Sequence, residues 1–196
     1  YMPESAVNPV RGLLEAYTKL DRGRLPCNLV GLNPGDEVEL SRELIVSVAK
    51  TYHTVPSLGY VVWHRRKKLK AEYLDLPGEK IRDLKISGVE IEHEVRLPRV
   101  AYLGDSTARG LDECPEMLQA EVLIFELTFV APTHRKEAIH KFGHVHLDDI
   151  LERREQFKNE LIIASHFSTR YHDRQVRHYV KKALPDMLGE RMMLWL

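Results

Sequence analysis

The stretch Glu121-Val122-Leu123-Ile124-Phe125-Glu126-Leu127-Thr128-Phe129 decides how the chain is read. Its first five residues, EVLIF, carry the apolar run Val122 to Phe125 and read as a buried strand. A titratable residue, Glu126, follows at once. The same arrangement recurs three times. Glu43 to Lys50 (ELIVSVAK) leads into Thr51-Tyr52-His53, and Arg99 to Leu103 (RVAYL) leads into Gly104-Asp105-Ser106-Thr107. Glu160 to Ala164 (ELIIA) leads into Ser165-His166-Phe167-Ser168. Four strands thus each deliver a titratable side chain at the C-terminal end, and in layered α/β proteins those ends gather where ligands bind.

The intervening sequence supplies helices. Val10, Leu13, Leu14, Tyr17 and Leu20 recur at helical spacing after Pro9, which suits a first turn. Leu147–Phe157 and Asp173–Leu184 read as two more helices, and Arg191–Leu196 as a closing strand. Arg65–Lys85 is charged and predicts helix in part. A turn is expected at Asn33-Pro34-Gly35-Asp36, and a second apolar run at Tyr60–Trp63. Strands separated by helices predict an α/β architecture with covered sheets, in a single domain over residues 1–196. Met187, Met192, Met193 and Trp195 are expected to pack the closing elements into the core.

Composition excludes several classes. With 43% hydrophobic and 30% charged residues in 196, the chain has the make-up of a globular domain. No apolar run approaches the roughly 18–20 residues of a membrane span, and no basic leader precedes an apolar segment. The expected location is therefore the cytoplasm or an organelle matrix, with no membrane partner. Formal net charge is zero, so a nucleic-acid partner needs a local patch. His64-Arg65-Arg66-Lys67-Lys68-Leu69-Lys70, with Trp63 and Tyr73 nearby, is the candidate. Arg65, Arg66, Lys67 and Lys68 would meet phosphates there, or else form a solvated face. Cys27 and Cys114 lack metal-ligand spacing and read as reduced thiols. Of ten histidines, His93, His134, His140 and His178 read as surface or loop residues. His172 lies close enough to His166 in sequence to reach the same site.

Two histidines and an aspartate after buried strands form a plausible metal site, since neutral imidazole and carboxylate suit Zn²⁺ or Mn²⁺. Each residue alone has a plainer reading, as a hydrogen-bonded loop histidine, a capping aspartate or an ion-pair glutamate. From the residues alone, a metal site and these plainer roles both stay open.

Five motifs in register narrow the choice. His53 in HTVPSLGYVV, Asp105 in YLGDST, Glu126 in FELTF, His144 in FGHVHL and His166 in SHFSTRY resemble the later motifs of ribonuclease Z, short form, over nearly the whole chain. The resemblance implies a metallo-β-lactamase αββα sandwich and a zinc-dependent endoribonuclease that hydrolyses a phosphodiester at the 3′ end of precursor tRNA. It implies His53, Asp105 and His166 as metal ligands, with Asp105 bridging two zinc ions, or manganese in their place. Glu126 and His144 would be a proton-delivery pair, because a carboxylate orients an imidazole and favours its charged form. Members often dimerise, so a second copy is an expected partner beside the tRNA precursor.

The chain also departs from the family pattern. Glu126-Leu127-Thr128-Phe129 stands where bacterial members have Glu-Ala-Thr-Phe, and Gly143-His144-Val145-His146 where they have Gly-His-Ser-Thr. His146 is therefore a rival to His144. The interval between His53 and Asp105 is shorter than the one that holds the tRNA-gripping arm of bacterial members. The defining HxHxDH pattern occurs nowhere in the 196 residues. The resemblance implies that this segment, with the first strands of the sheet, precedes Tyr1. Two alternatives are another hydrolase of the same fold and a non-catalytic binding module.

Overall fold

The structure is a computed structural model that describes residues 1–21, 23, 25–133, 139 and 141–196. Two short strands, β1 (Met2–Pro3) and β2 (Gly31–Leu32), pair in parallel, with α1 (Val7–Asp21) between them. Then come β3 (Glu37–Glu39), β4 (Leu44–Lys50), β5 (Leu58–Leu69), α2 (Gly78–Ile86) and β6 (Glu92–Tyr102). The second half runs α3 (Arg109–Glu113), β7 (Val122–Glu126), α4 (Leu147–Glu152), β8 (Leu161–Ser165), α5 (Asp173–Ala183) and β9 (Met192–Leu194). His134 and His140 lie outside the described residues.

Strands β3 to β9 form one sheet in sequence order, antiparallel from β3 to β6 and parallel from β6 to β9. Two antiparallel steps restore direction, so β4 runs the same way as β6, β7, β8 and β9. Their C-terminal ends therefore share one rim of the sheet. The helices connecting the parallel strands pack on one face: Leu111 of α3, Ile150 of α4 and Val180 of α5 are fully buried with Leu123, Phe125 and Ile162 of the strands.

The strands that read as apolar runs form as expected. The segment Arg65–Lys85 differs at its start. Residues up to Leu69 continue β5, paired through Leu69 with Glu92, and helix begins only at α2 after a short 3-10 turn. Ion pairs hold this polar ladder in place of apolar burial. Arg65 meets Glu39 at 2.5 Å, and Arg96, opposite it, pairs with Glu94 at 2.7 Å and also with Glu37.

The helix expected over Leu147–Phe157 is shorter, because α4 ends at Glu152 and a 3-10 turn follows. Met187 and Met192 are buried, but Met193 and Trp195 are 59% and 71% exposed. Strand alternation sends every second residue of the closing segment to the opposite face. Among the described residues, no helix is long and apolar enough to cross a membrane.

Candidate active site

Glu126, at the end of β7, is 2% exposed, and its carboxylate is met by four donors. Ser106 N–H donates to Oε1 at 2.8 Å and Val145 N–H to Oε2 at 3.3 Å. The Thr128 hydroxyl donates to Oε2, and His144 Nδ1 approaches the same oxygen at 3.0 Å. An ionised carboxylate only accepts and has about four lone-pair sites, so these donors fill it.

This arrangement fixes protons further out. Thr128 spends its one hydrogen on Glu126, so its oxygen accepts from His166 Nδ1 at 2.9 Å. His166 then carries its hydrogen on Nδ1 and presents the Nε2 lone pair, 3.9 Å from Asp105 Oδ1. His144 likewise holds a hydrogen on Nδ1 toward Glu126 and turns Nε2 away from it. One buried carboxylate thus orients two imidazoles, one directly and one through a hydroxyl.

The loops around this carboxylate are close-fitting. Tyr52 N–H donates to Ser106 Oγ at 2.9 Å, and Thr107 N–H to Tyr52 O at 3.0 Å, tying the loop after β4 to the loop after β6. This sets His53 beside His144, with ring centroids 5.0 Å apart, and His144 is 5.5 Å from the His166 ring. Gly143 makes that approach possible. Its φ is +83°, and a Cβ there would lie 2.5 Å from His53 Cα. His166 itself has φ of +59°, a left-handed conformation that costs a non-glycine residue about 1–3 kcal/mol. Bonds on both flanks hold it, from Leu127 N to Ser165 O at 2.8 Å and from Ser168 N to Thr128 O at 3.0 Å.

All five residues singled out from sequence, His53, Asp105, Glu126, His144 and His166, therefore meet at one rim. His144 and its rival His146 differ in burial and in partners. His146 is 1% exposed and caps α4: its Nδ1 accepts from Asp148 N–H at 3.1 Å, leaving Nε2–H for Ala131 O at 3.0 Å. Both of its nitrogens are used within the fold. His172 is exposed at the start of α5, where its N–H donates to Gln175 Oε1 at 2.9 Å. His93 and His178 are exposed as well. Thr128 and Ser106 escaped the sequence reading, because neither type distinguishes a site residue from an ordinary turn. Gly143, beside a candidate histidine, was the one legible signal of a close approach.

Could this cluster hold a metal? Glu126, His144 and His166 offer ligand atoms within 4.8 Å of one another. Glu126 is already saturated by donors, so it is better fitted to orient ligands than to be one. The His166 Nε2 lone pair beside the half-exposed Asp105 carboxylate offers donor types that suit zinc or manganese, while His53 is placed against the His144 ring.

The basic run lies elsewhere. β5 leads away from the rim, so Arg66 is about 26 Å from Leu58 at ~3.3 Å per residue. Alternation puts Arg65 and Lys67 on one face of the sheet, and His64, Arg66 and Lys68 on the other. The site is thus assembled by strand ends, and the basic run is remote from it.

No protein-family model matches the chain. Among curated proteins it is similar to tRNase Z TRZ1 of Arabidopsis thaliana, 38% identical over 190 residues that are 96% of this chain and 68% of that protein. It is 34% identical to the chloroplastic tRNase Z TRZ2 of the same plant, over 93% of this chain and 52% of that protein. The chain thus spans between half and about two thirds of these relatives. Among solved structures, the metallo-beta-lactamase fold protein YhfI from Bacillus subtilis superposes over 97% of this chain and 68% of its own, with TM-score 0.54 and 11% identity. That likeness gives the fold, an α/β chain of the metallo-β-lactamase type.

Proposed function

The chain belongs to the tRNase Z family, and from that footing we propose that it carries the proton-delivery half and part of the metal site of an endoribonuclease. The substrate is precursor tRNA, and the reaction is hydrolysis of the phosphodiester at its 3′ end. His53, Asp105 and His166 hold the metal, zinc first and manganese as the alternative. A two-metal site needs more ligands than these three. When bound, the metal supplies Lewis-acid stabilisation of the scissile phosphate and an activated water.

The observation that carries this reading is the network around Glu126. A leaving ribose oxygen must gain a proton as the P–O bond breaks. His144, held at Nδ1 by Glu126 at 3.0 Å, has Nε2 to deliver one. The same carboxylate, through Thr128, keeps hydrogen off His166 Nε2, so that nitrogen can bind a cation. Proton delivery and metal binding are thus served by one buried anion. The remote basic residues Arg66 and Lys68 bind tRNA phosphates at a distance from the cut.

The test is a chimera in which this chain replaces the matching residues of tRNase Z TRZ1, assayed on precursor tRNA beside bis(p-nitrophenyl) phosphate. Cleavage at the tRNA 3′ end is expected. His144→Ala should lower kcat by roughly 10²- to 10⁴-fold, the usual worth of a general acid, with metal content unchanged. Hydrolysis of the simple diester alone would point to another hydrolase of this fold.

A further inference from the structure

Helix α5 is one-sided in charge. At 3.6 residues per turn, Arg174, Arg177, His178, Lys181 and Lys182 fall on one face, and all five are exposed. Val176 and Val180 lie on the opposite face and are buried in the core. The helix holds one acid, Asp173, in its first turn, where it suits the helix dipole. Around α3 and α4, by contrast, cations are paired: Arg109 with Glu113 at 2.8 Å, Arg153 with Asp112 at 2.7 Å and Arg154 with Glu155 at 2.9 Å. Among the described residues, Arg174, Arg177, Lys181 and Lys182 make no such pair.

Helix stability does not account for this face. Like charges three or four residues apart on a helix repel, and Arg174 with Arg177, and Arg177 with Lys181, are such pairs. Lys181 and Lys182 suit the C-terminal dipole, but Arg174 stands in the first turn, where a cation is disfavoured. Solvation alone would be served by charges of either sign, whereas a face of cations without an acid selects anions. A lipid surface is a poor match, because the apolar face that a membrane-bound helix would insert is used up in the core.

The place of α5 in the fold says which anion. Strand β8 ends at the rim with Ser165, His166 follows, and α5 opens at Asp173. Because β8 and β9 are parallel, α5 must run back from the rim to reach the start of β9. Its 11 residues carry the cationic face about 16 Å away from the candidate active site. A nucleic acid held at the rim brings further phosphates along its strand, and arginine forks fit phosphate oxygens. We propose that the face of Arg174, Arg177 and Lys181 binds the RNA backbone that flanks the scissile phosphate, without reading its sequence. The ligand rests on the RNA reading above, but the surface is separate from the basic run on β5.

The test measures binding of fluorescent precursor tRNA by anisotropy, using the TRZ1 chimera with His144→Ala so that the RNA stays whole. Combining Arg174→Gln, Arg177→Gln and Lys181→Gln should weaken binding at least about tenfold and lower the slope of log affinity against log salt by roughly 2 to 3. Lys19→Gln, exposed on α1, should change neither. With His144 restored, the triple variant should hydrolyse bis(p-nitrophenyl) phosphate as before, since that small diester does not reach α5. It should also melt no lower than its parent, because like-charge repulsion is relieved. Unchanged affinity and slope would overturn the proposal. So would a lower melting temperature with RNA binding intact, or loss of binding to phosphatidylserine vesicles with RNA binding intact. A chimera that binds RNA through these residues but does not cut it keeps the docking and loses the reaction. One that cuts precursor tRNA while the triple variant binds it unchanged keeps the reaction and loses the docking.

Discussion

Two histidines two residues apart have opposite duties here, and substitution should separate them. His146→Ala removes the α4 cap and strands Ala131 O in the interior, which together cost about 2–4 kcal/mol. A lowered melting temperature is the readout. His144→Ala also takes one donor from buried Glu126, but Ser106 N, Val145 N and the Thr128 hydroxyl remain, so it should lower melting less than His146→Ala while removing proton delivery. A second residue-scale expectation concerns Thr128. Thr128→Val keeps the shape but removes the hydroxyl that fixes the His166 tautomer, so zinc affinity should fall roughly 10- to 100-fold, the usual worth of an outer ligand partner. Unchanged affinity would show that His166 needs no such orientation. Cys114 should also prove inert. Burial, helped by the Glu116 carboxylate, pushes its thiol up to about 11, so little thiolate exists at pH 8. Iodoacetamide should label exposed Cys27 well before Cys114 in the native protein, as read by mass spectrometry. At this scale His53, Asp105, Glu126 and His166 were legible by type and position after strands, whereas His144 was singled out only through the family resemblance. Spacing could not separate His144 from His146, since only burial and the second nitrogen's partner distinguish them.

At the level of elements, the site depends on loops that must come closer than side chains ordinarily allow. Gly143→Ala adds a Cβ 2.5 Å from His53 Cα in a left-handed conformation. The left-handed strain alone costs about 1–2 kcal/mol, and relief of the contact must move His53. Both a lower melting temperature and weaker zinc binding are expected. Loss of stability with zinc affinity intact would mean that His53 is not a ligand. Strands β4, β7 and β8 were legible because each is a continuous apolar run. The outer half of β5 was not, because Arg65 and Lys67 read as helix or solvent when taken alone. Arg65 pairs with Glu39 and Glu94 of other strands, and cross-strand ion pairs leave no local period in the sequence.

For the whole molecule, strand direction explains why residues so far apart in sequence share a site: five strands point the same way and end at one rim. It also explains why the basic run is not at that rim. If Arg66 and Lys68 meet tRNA phosphates, replacing either by alanine should weaken binding and lower the slope of log affinity against log salt by about 1. Arg65→Ala, already paired with Glu39, should affect RNA binding less than either. The antiparallel-to-parallel sheet and its helices could be inferred from the order of apolar runs. Which face of the sheet the helices cover could not, because an apolar residue's position in sequence does not say which layer covers it. The most direct test of the proposed site is a zinc titration of the chain within the TRZ1 chimera, beside His53→Ala, Asp105→Ala and His166→Ala. Saturable binding that weakens at least tenfold in all three would agree with a metal site at this rim. Binding absent from the chimera, or equal in all four proteins, would contradict it.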